Sequence, residues 1–300
     1  MFQLHDAHGP IEAIHEATAV TVGVFDGVHL GHQALLEQLA ERNNPSPLVV
    51  TLTSHPSFIL GRRDSEYWLD DPDEHLQLLF EAGARYVAVL PFTREVAQMT
   101  ACEMAQTLHE QLHMRSLLIG YDSRFGNREH DDFDRLPLLA TQLGFTLQRG
   151  EPFLVDDEPI SSSRIRNTLT EGRIEDTATL LGRPYSISGT VLHGRGVGHT
   201  LGFPTANISL ESTRKMLPKE GVYAVRVNGH MGMANLGAIP TYGIQESALE
   251  VHLLDFNGDL YGQTVEVQFL HRLRDIVRFA SAEALQRQLQ EDLNACRRHE

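Results

Sequence analysis

Apolar positions along this chain follow two different rhythms. In the first half, short apolar runs alternate with stretches whose apolar residues recur every three or four positions. Val20–Val24, Leu48–Leu52, Tyr86–Leu90 and Ser116–Ile119 read as strands, with Phe145–Gln148 as a fifth. Leu30–Leu39 carries helical spacing. Asp71-Pro72-Asp73-Glu74 offers a cap, a proline at the first helical position and early acids, which predicts a helix start. Thr100-Ala101-Cys102-Glu103 fits a capping box that opens a helix toward His113. Strands alternating with helices of this length predict βαβ units and a parallel sheet.

From about Tyr185 the period changes to two. Ser186–His193 and Val222–Val227 alternate polar and apolar residues, and the latter runs into Asn228-Gly229, a hairpin signal. Leu249–Phe256 and Val265–Leu270 flank Asn257-Gly258, which reads as another hairpin. Short strands with glycine turns predict an antiparallel sandwich or barrel. Ser281–Arg298 reads as a final amphipathic helix capped by Ser281. The boundary falls near Gly182-Arg183-Pro184, after a helical stretch Arg164–Leu181, which gives domains of residues 1–183 and 184–300. The chain shows no internal repeat and no low-complexity tract.

Composition narrows this picture. The 300 residues are 41% hydrophobic and 22% charged, as expected of a globular protein of two domains. No apolar run reaches membrane-spanning length, and the N-terminus has no basic region followed by an apolar core. Cys102 and Cys296 are the only cysteines, which excludes a disulfide framework and suits a reducing cytoplasm. The formal charge of −15 disfavours nucleic acid as a partner. Weak self-association stays open. Anionic ligands would need local islands of Arg, His and backbone amides.

One such island is "VGVFDGVHLGHQALLEQL", Val22–Leu39. Ligands of parallel sheets sit at the carboxyl ends of strands, and here a strand runs into Phe25-Asp26-Gly27. Gly23, Gly27 and Gly31 let backbone approach a phosphate, and the helix N-terminus supplies N–H groups and partial positive charge. His29 and His32, three apart on one helical face, can both donate to the same oxygens. A single histidine here would be read as a cap or a packing residue. Two of them among three glycines favour an anion site. Zinc is not expected, because no third ligand has suitable spacing. No G-x-x-x-x-G-K-[ST] occurs, so this is not a P-loop. Ser161–Ser163 would be ordinary helix caps, but Arg164 and Arg166 in the first turn oppose the helix dipole unless an anion binds there.

"GVFDGVHLGH" is similar to the first signature of the nucleotidyltransferase superfamily, and "ISSSRIR" resembles its second. "IGYDSRFG" looks like the flavin-side segment of one branch. Together they resemble the adenylyltransferase module of the bacterial bifunctional riboflavin kinase/FMN adenylyltransferases. "HGRGVGHTLGFPTANI", His193–Ile208, resembles the riboflavin kinase module of that family, as do "LEVHLLDFNGDLYG" and "FLHRLRDIVRF". The motifs stand in the family's order from about Val20 to Phe279.

The resemblance implies a Rossmann-like N-terminal domain with a parallel sheet. It implies a C-terminal antiparallel β-barrel kinase domain with a terminal helix. It implies phosphorylation of riboflavin to FMN by ATP, then adenylylation of FMN to FAD by a second ATP, with release of pyrophosphate. Small molecules (riboflavin, FMN and ATP) would be the partners. For the adenylyl step the candidates are His29 and His32 as catalytic groups, with Gly23, Phe25, Asp26, Gly31, Ser163 and Arg166 on ATP. Asp122, Arg124 and Phe125 are candidates for the flavin. For the kinase step, Gly194, Gly196, Gly198 and Pro204 would line the nucleotide loop. Thr205 and Asn207 carry hard oxygens that suit Mg²⁺, and the resemblance assigns them Mg–ATP. Glu250 is acidic in an apolar alternating strand. Alone it would read as an outward surface residue, and the resemblance makes it the general base.

There are departures. "TLTSHPS" replaces an F-D-P-H-P type sequence with His55-Pro56 kept, His199 and Thr200 stand where basic residues are usual, and Ser123 where an aromatic is frequent. Rival readings are a single-activity enzyme with one degenerate module, a flavin-binding regulator without turnover, and a nucleotidyltransferase of another substrate. "LGFPTANI" argues against the last.

Overall fold

The structure is a computed structural model. It describes residues 2–41, 45–53, 67–123, 125–127, 132–193, 202–211, 213–241 and 244–299, with the backbone alone at 238–241 and 244–247. It divides into two compact units, Met1–Ser162 and Ser163–Glu300.

The first unit is built on a seven-stranded sheet. Its strands are β1 (Gln3–Asp6), β2 (Gly9–Ile11), β3 (Thr18–Val22), β4 (Ser46–Leu52), β5 (Tyr86–Leu90), β6 (Met114–Ile119) and β7 (Thr146–Arg149). The order is β2-β1-β5-β4-β3-β6-β7. β3 to β7 are mutually parallel, and β1 adds to β5 antiparallel. The parallel part therefore runs third, second, first, fourth, fifth, with its switch of direction between β3 and β6. Ligands of such sheets lie outside the carboxyl ends at that switch.

The helices are α1 (Leu30–Ala40), α2 (Pro72–Glu81), α3 (Arg94–Gln98), α4 (Ala101–Gln111) and α5 (Leu136–Leu143). Asp71 and Thr100 both complete capping boxes, with Glu74 and Glu103 reaching back. The apolar strand runs bury both faces. Val20, Val50, Leu90 and Leu117 meet Met104 and Leu108 of α4, while Ala19, Val49, Val87 and Leu118 meet Leu36, Leu39 and Leu79. Burial on two faces explains runs without alternation. β3 stops at Val22, two residues before the expected Val24, because the chain turns through Phe25 at φ 54°. A short hairpin of β8 (Leu154–Val155) and β9 (Glu158–Pro159) closes this part of the chain.

The second unit begins one residue into α6 (Ser162–Glu171) and continues with α7 (Ile174–Leu181), two helices rather than one stretch from Arg164 to Leu181. Gly172, at φ 78°, separates them. The rest is a closed antiparallel barrel. Its strands are β10 (Tyr185–Leu192), β11 (Ala206–Ile208), β12 (Gly221–Val227), β13 (His230–Thr241), β14 (Ile244–Leu253) and β15 (Thr264–Arg274). They close in the order β10-β11-β14-β13-β12-β15.

Asn228-Gly229 forms the expected hairpin, with both residues at positive φ between paired β12 and β13. Asn257-Gly258 does not. β14 pairs with β11 and β13, and β15 pairs with β10 and β12, so the segment between them crosses the barrel instead of reversing it. The turn chemistry is local, whereas closure of the barrel decides the partner. The terminal helix α8 (Ala282–Arg297) is capped by Ser281 and lays Leu289, Leu293 and Cys296 on Val222, Ala224 and Met233. Asp292 holds Arg274 through Nε at 3.0 Å and Nη2 at 2.6 Å, with Asp292 buried.

Candidate active sites

Residues 23–33 bring the first constellation to the carboxyl end of β3. Gly23 N donates to Val50 O, which extends the β3–β4 ladder by one step. The chain then passes through Phe25, Gly27 and Val28 at φ 54°, 84° and 34°. Such left-handed backbone costs ordinary residues roughly 1–2 kcal/mol each, so the turn must be held from outside.

It is held by side chains from neighbouring elements. Asp26 is 1% exposed, and its Oδ1 accepts from Leu69 N at 2.7 Å. Asp70 Oδ2 accepts from Gly27 N at 3.0 Å, Thr51 Oγ1 donates to Val24 O at 3.1 Å, and Ser162 Oγ donates to Asp26 O at 3.0 Å. Phe25 and Val28 anchor the turn in the apolar layer under α1.

His29 is the N-cap of α1, not a member of its first turn, and His32 lies one turn in. His29 Nδ1 accepts from His32 N at 3.3 Å, which places the imidazole proton on Nε2 when His29 is neutral. The two rings stack with centroids 3.6 Å apart, and Phe25 meets His32 edge-on at 5.2 Å. A Cβ on Gly31 would lie 3.2 Å from the His29 ring, so the small residue at 31 makes room for the stack. His32 Nδ1 is buried and has no hydrogen-bond partner among the described residues. Burial, and then the neighbouring His29 and His75, push the His32 pKa well below its ordinary value. A stacked imidazole pair at a helix start suits donation to phosphoryl oxygens.

Asp122 and Phe125 follow β6, at the carboxyl end of the strand next to β3. Phe125 is buried in the layer that packs on α4, 8% exposed. Ser163 and Arg166 lie on α6, whose first residue is the Ser162 bonded to Asp26. Arg124 is outside the described residues.

The second constellation sits on the barrel. β11 pairs with β14 so that Asn207 stands directly opposite Glu250, and β13 places Asn235 opposite Glu250 on the other side. Directly opposed residues share a face at about 5 Å between Cβ atoms. Leu249 and Val251 point into the barrel, each 1% exposed, so this polar row faces outward. Thr205 precedes β11 by one residue, two before Asn207. His252 Nδ1 lies 2.8 Å from Pro204 O and ties the segment to β14. Gly194, Gly196 and Gly198 lie outside the described residues. His193, the last described residue before them, stacks on Tyr261 with ring centroids 3.8 Å apart. Asn235 and Asp70 had no motif to mark them. Asn235 becomes visible only through strand register, and Asp70 only through the fold.

A family model described as FAD synthetase matches residues 11–164, and one described as riboflavin kinase matches residues 181–299. A curated bifunctional riboflavin kinase/FMN adenylyltransferase of Haemophilus influenzae is 35% identical over 98% of this chain and 96% of its own. The chain belongs to the bifunctional riboflavin kinase/FMN adenylyltransferase family. The protein of the same description from Escherichia coli K12 is 36% identical over 95% of this chain and 93% of its own. A solved structure described as a macrolide-efflux protein from Streptococcus pneumoniae matches with a TM-score of 0.86, at 30% identity over 95% of this chain. Among the described residues no helix is long and apolar enough to cross a membrane. The protein is a two-activity enzyme that converts riboflavin to FMN and FMN to FAD, with ATP as co-substrate.

Proposed function

We propose that the two reactions run at the two constellations, each with its own ATP. The observation that carries this reading is the register that sets Asn207 against Glu250 on the second unit, while the stacked His29 and His32 lie on the first. We assign the adenylyltransferase module to residues 1–183 and the kinase module to 184–300.

At the kinase site Glu250 accepts the proton of the riboflavin 5′-hydroxyl as that oxygen attacks the γ-phosphorus of ATP. ADP leaves and FMN forms. Help of this kind is worth roughly 10²–10⁴-fold. Thr205 and Asn207 supply a hydroxyl and an amide oxygen, hard donors that fit Mg²⁺, which when bound neutralises phosphoryl oxygens. Pro204 and the glycines at 194, 196 and 198 shape the nucleotide loop.

At the adenylyl site the FMN phosphate is already a nucleophile. It attacks the α-phosphorus, and pyrophosphate leaves. His29 and His32 donate to the phosphate oxygens, and Ser163 and Arg166 add a hydroxyl and a fixed cation. Gly23, Phe25, Asp26 and Gly31 act on ATP through backbone shape, since the Phe25 and Asp26 side chains are buried. Asp122, Arg124 and Phe125 place the flavin.

We place the enzyme in the cytoplasm, without nucleic-acid or membrane partners. The free thiols of Cys102 and Cys296 and the −15 charge support that reading. Incubating riboflavin, ATP and Mg²⁺ with the protein should give FMN first and FAD later on chromatography. Chelating the Mg²⁺ should stop FMN formation. FMN formation that survives full chelation contradicts the assignment of Thr205 and Asn207.

A further inference from the structure

His75, on α2, is a buried ionisable group that neither reaction uses. Its side chain is 12% exposed and that of its partner Asp70 only 1%. Asp70 Oδ2 lies 2.9 Å from His75 Nδ1, and Thr51 Oγ1 lies 2.9 Å from His75 Nε2. The count of protons decides the state of the ring. Asp70 Oδ2 already accepts from Gly27 N, so it accepts again from Nδ1. Thr51 spends its hydroxyl proton on Val24 O, so its oxygen accepts from Nε2. Both ring nitrogens donate, and the ring that does so is an imidazolium.

We propose that His75 is a positioning residue of the adenylyltransferase site, a cation that clamps the Val24–Gly27 turn at both ends through Thr51 and Asp70. The proposal rests on the reading that His29 and His32 serve the adenylyl step. The turn needs such a clamp, because Phe25, Gly27 and Val28 all have positive φ and the turn leads directly to the His29 cap. A neutral His75 has one N–H, so one end of the clamp opens. The buried Asp70 then also loses its counter-charge, which is costly in a dry site. The titratable groups facing the ring are the acids Asp70, Asp26 and Glu74 and the imidazole His32, whose pKa is lowered. Burial alone would lower the His75 pKa, but the Asp70 hydrogen bond and the charges of Asp70, Asp26 and Glu74 outweigh it and raise it. Adenylylation should therefore weaken as pH rises through that value.

The test uses the full-length enzyme and follows FMN-to-FAD and riboflavin-to-FMN conversion separately across pH. Wild-type FAD formation should fall on the alkaline side along the titration of His75, read from its ring ¹⁵N shifts. His75→Gln should lower kcat for FAD formation by up to about 100-fold, as a displaced site does, and leave FMN formation unchanged. His75→Lys keeps a cation whose ordinary pKa is about 10.4, so it should recover activity over His75→Gln and lack the alkaline fall. Wild-type FAD kinetics in His75→Gln, or a His75 titration that FAD formation does not follow, overturns the proposal. Should the variants fail to fold, the wild-type ¹⁵N titration against the rate profile decides alone. His32→Ala is the separating control. If it leaves FAD formation intact, the assignment of the histidine site has failed, and the clamp falls with it.

Discussion

The two constellations are made by opposite means. On the barrel, the polar row Asn207, Glu250 and Asn235 comes from strand register, with ordinary extended backbone and outward side chains. On the first unit, the histidine turn has three residues, Phe25, Gly27 and Val28, at positive φ, held by buried Asp26, Asp70 and Thr51. A registered site inherits the stability of its sheet. A strained turn must be stabilised by a network of its own, and that network reaches across β4 and α2. The two sites should therefore fail in different ways.

The largest effect that sharpens this contrast comes from two glycines of the same conformation. Gly27 has φ 84° in the histidine turn, and Gly229 has φ 83° in the β12–β13 hairpin. Gly27→Val should depress FAD formation by roughly 100-fold or more, through displaced His29 and His32, while FMN formation persists. Gly229→Ala has open space around its Cβ, so it should cost about 1 kcal/mol of barrel stability and leave both activities. Equal effects of the two on FAD formation would break the contrast.

Next is the anchor of the barrel. Asp292 grips Arg274 in two places and accepts from Gln288 as well. Asp292→Ala leaves the largely buried Arg274 without its carboxylate, with only Asp275 O and the Phe279 ring beside it, and should lower barrel stability by about 3 kcal/mol in a denaturant titration. The transition of the first unit should not move.

The smallest effect is a pH signature confined to the first unit. A raised His75 pKa means that its contribution is complete below the ordinary value near 6.5 and is lost as pH rises through the folded value. The lowered His32 pKa acts in the other direction: its contribution is present above about 6.5 and lost as pH falls through the folded value. Thermal unfolding of the first unit should thus be most stable near the middle of this window. Loss of the alkaline slope in His75→Gln, with the acid slope kept, is the expected result.

The sequence is most legible where structure is local. The Asp71 and Thr100 capping boxes, the Tyr86–Leu90 strand and the Asn228-Gly229 turn all depend on neighbours within a few residues. Asn257-Gly258 misleads because barrel closure, a long-range effect, selects the partner of β15. The strand β11, three residues long, is too short to show a period. The histidine pair was readable from its glycines, but the clamp behind it was not. Thr51, Asp70 and His75 are an ordinary strand residue, a residue just before a helix cap and a helix residue until β4 and α2 bring them under the turn.

One pair of variants addresses the division of labour most directly. Glu250→Gln and the double change His29→Ala with His32→Ala are each given riboflavin in one assay and FMN in another. Glu250→Gln should reduce FMN formation by roughly 10²–10⁴-fold and leave FMN-to-FAD conversion at the wild-type rate. The double histidine variant should do the reverse. If either folded variant loses both conversions to the same extent, the reactions do not occupy two independent sites.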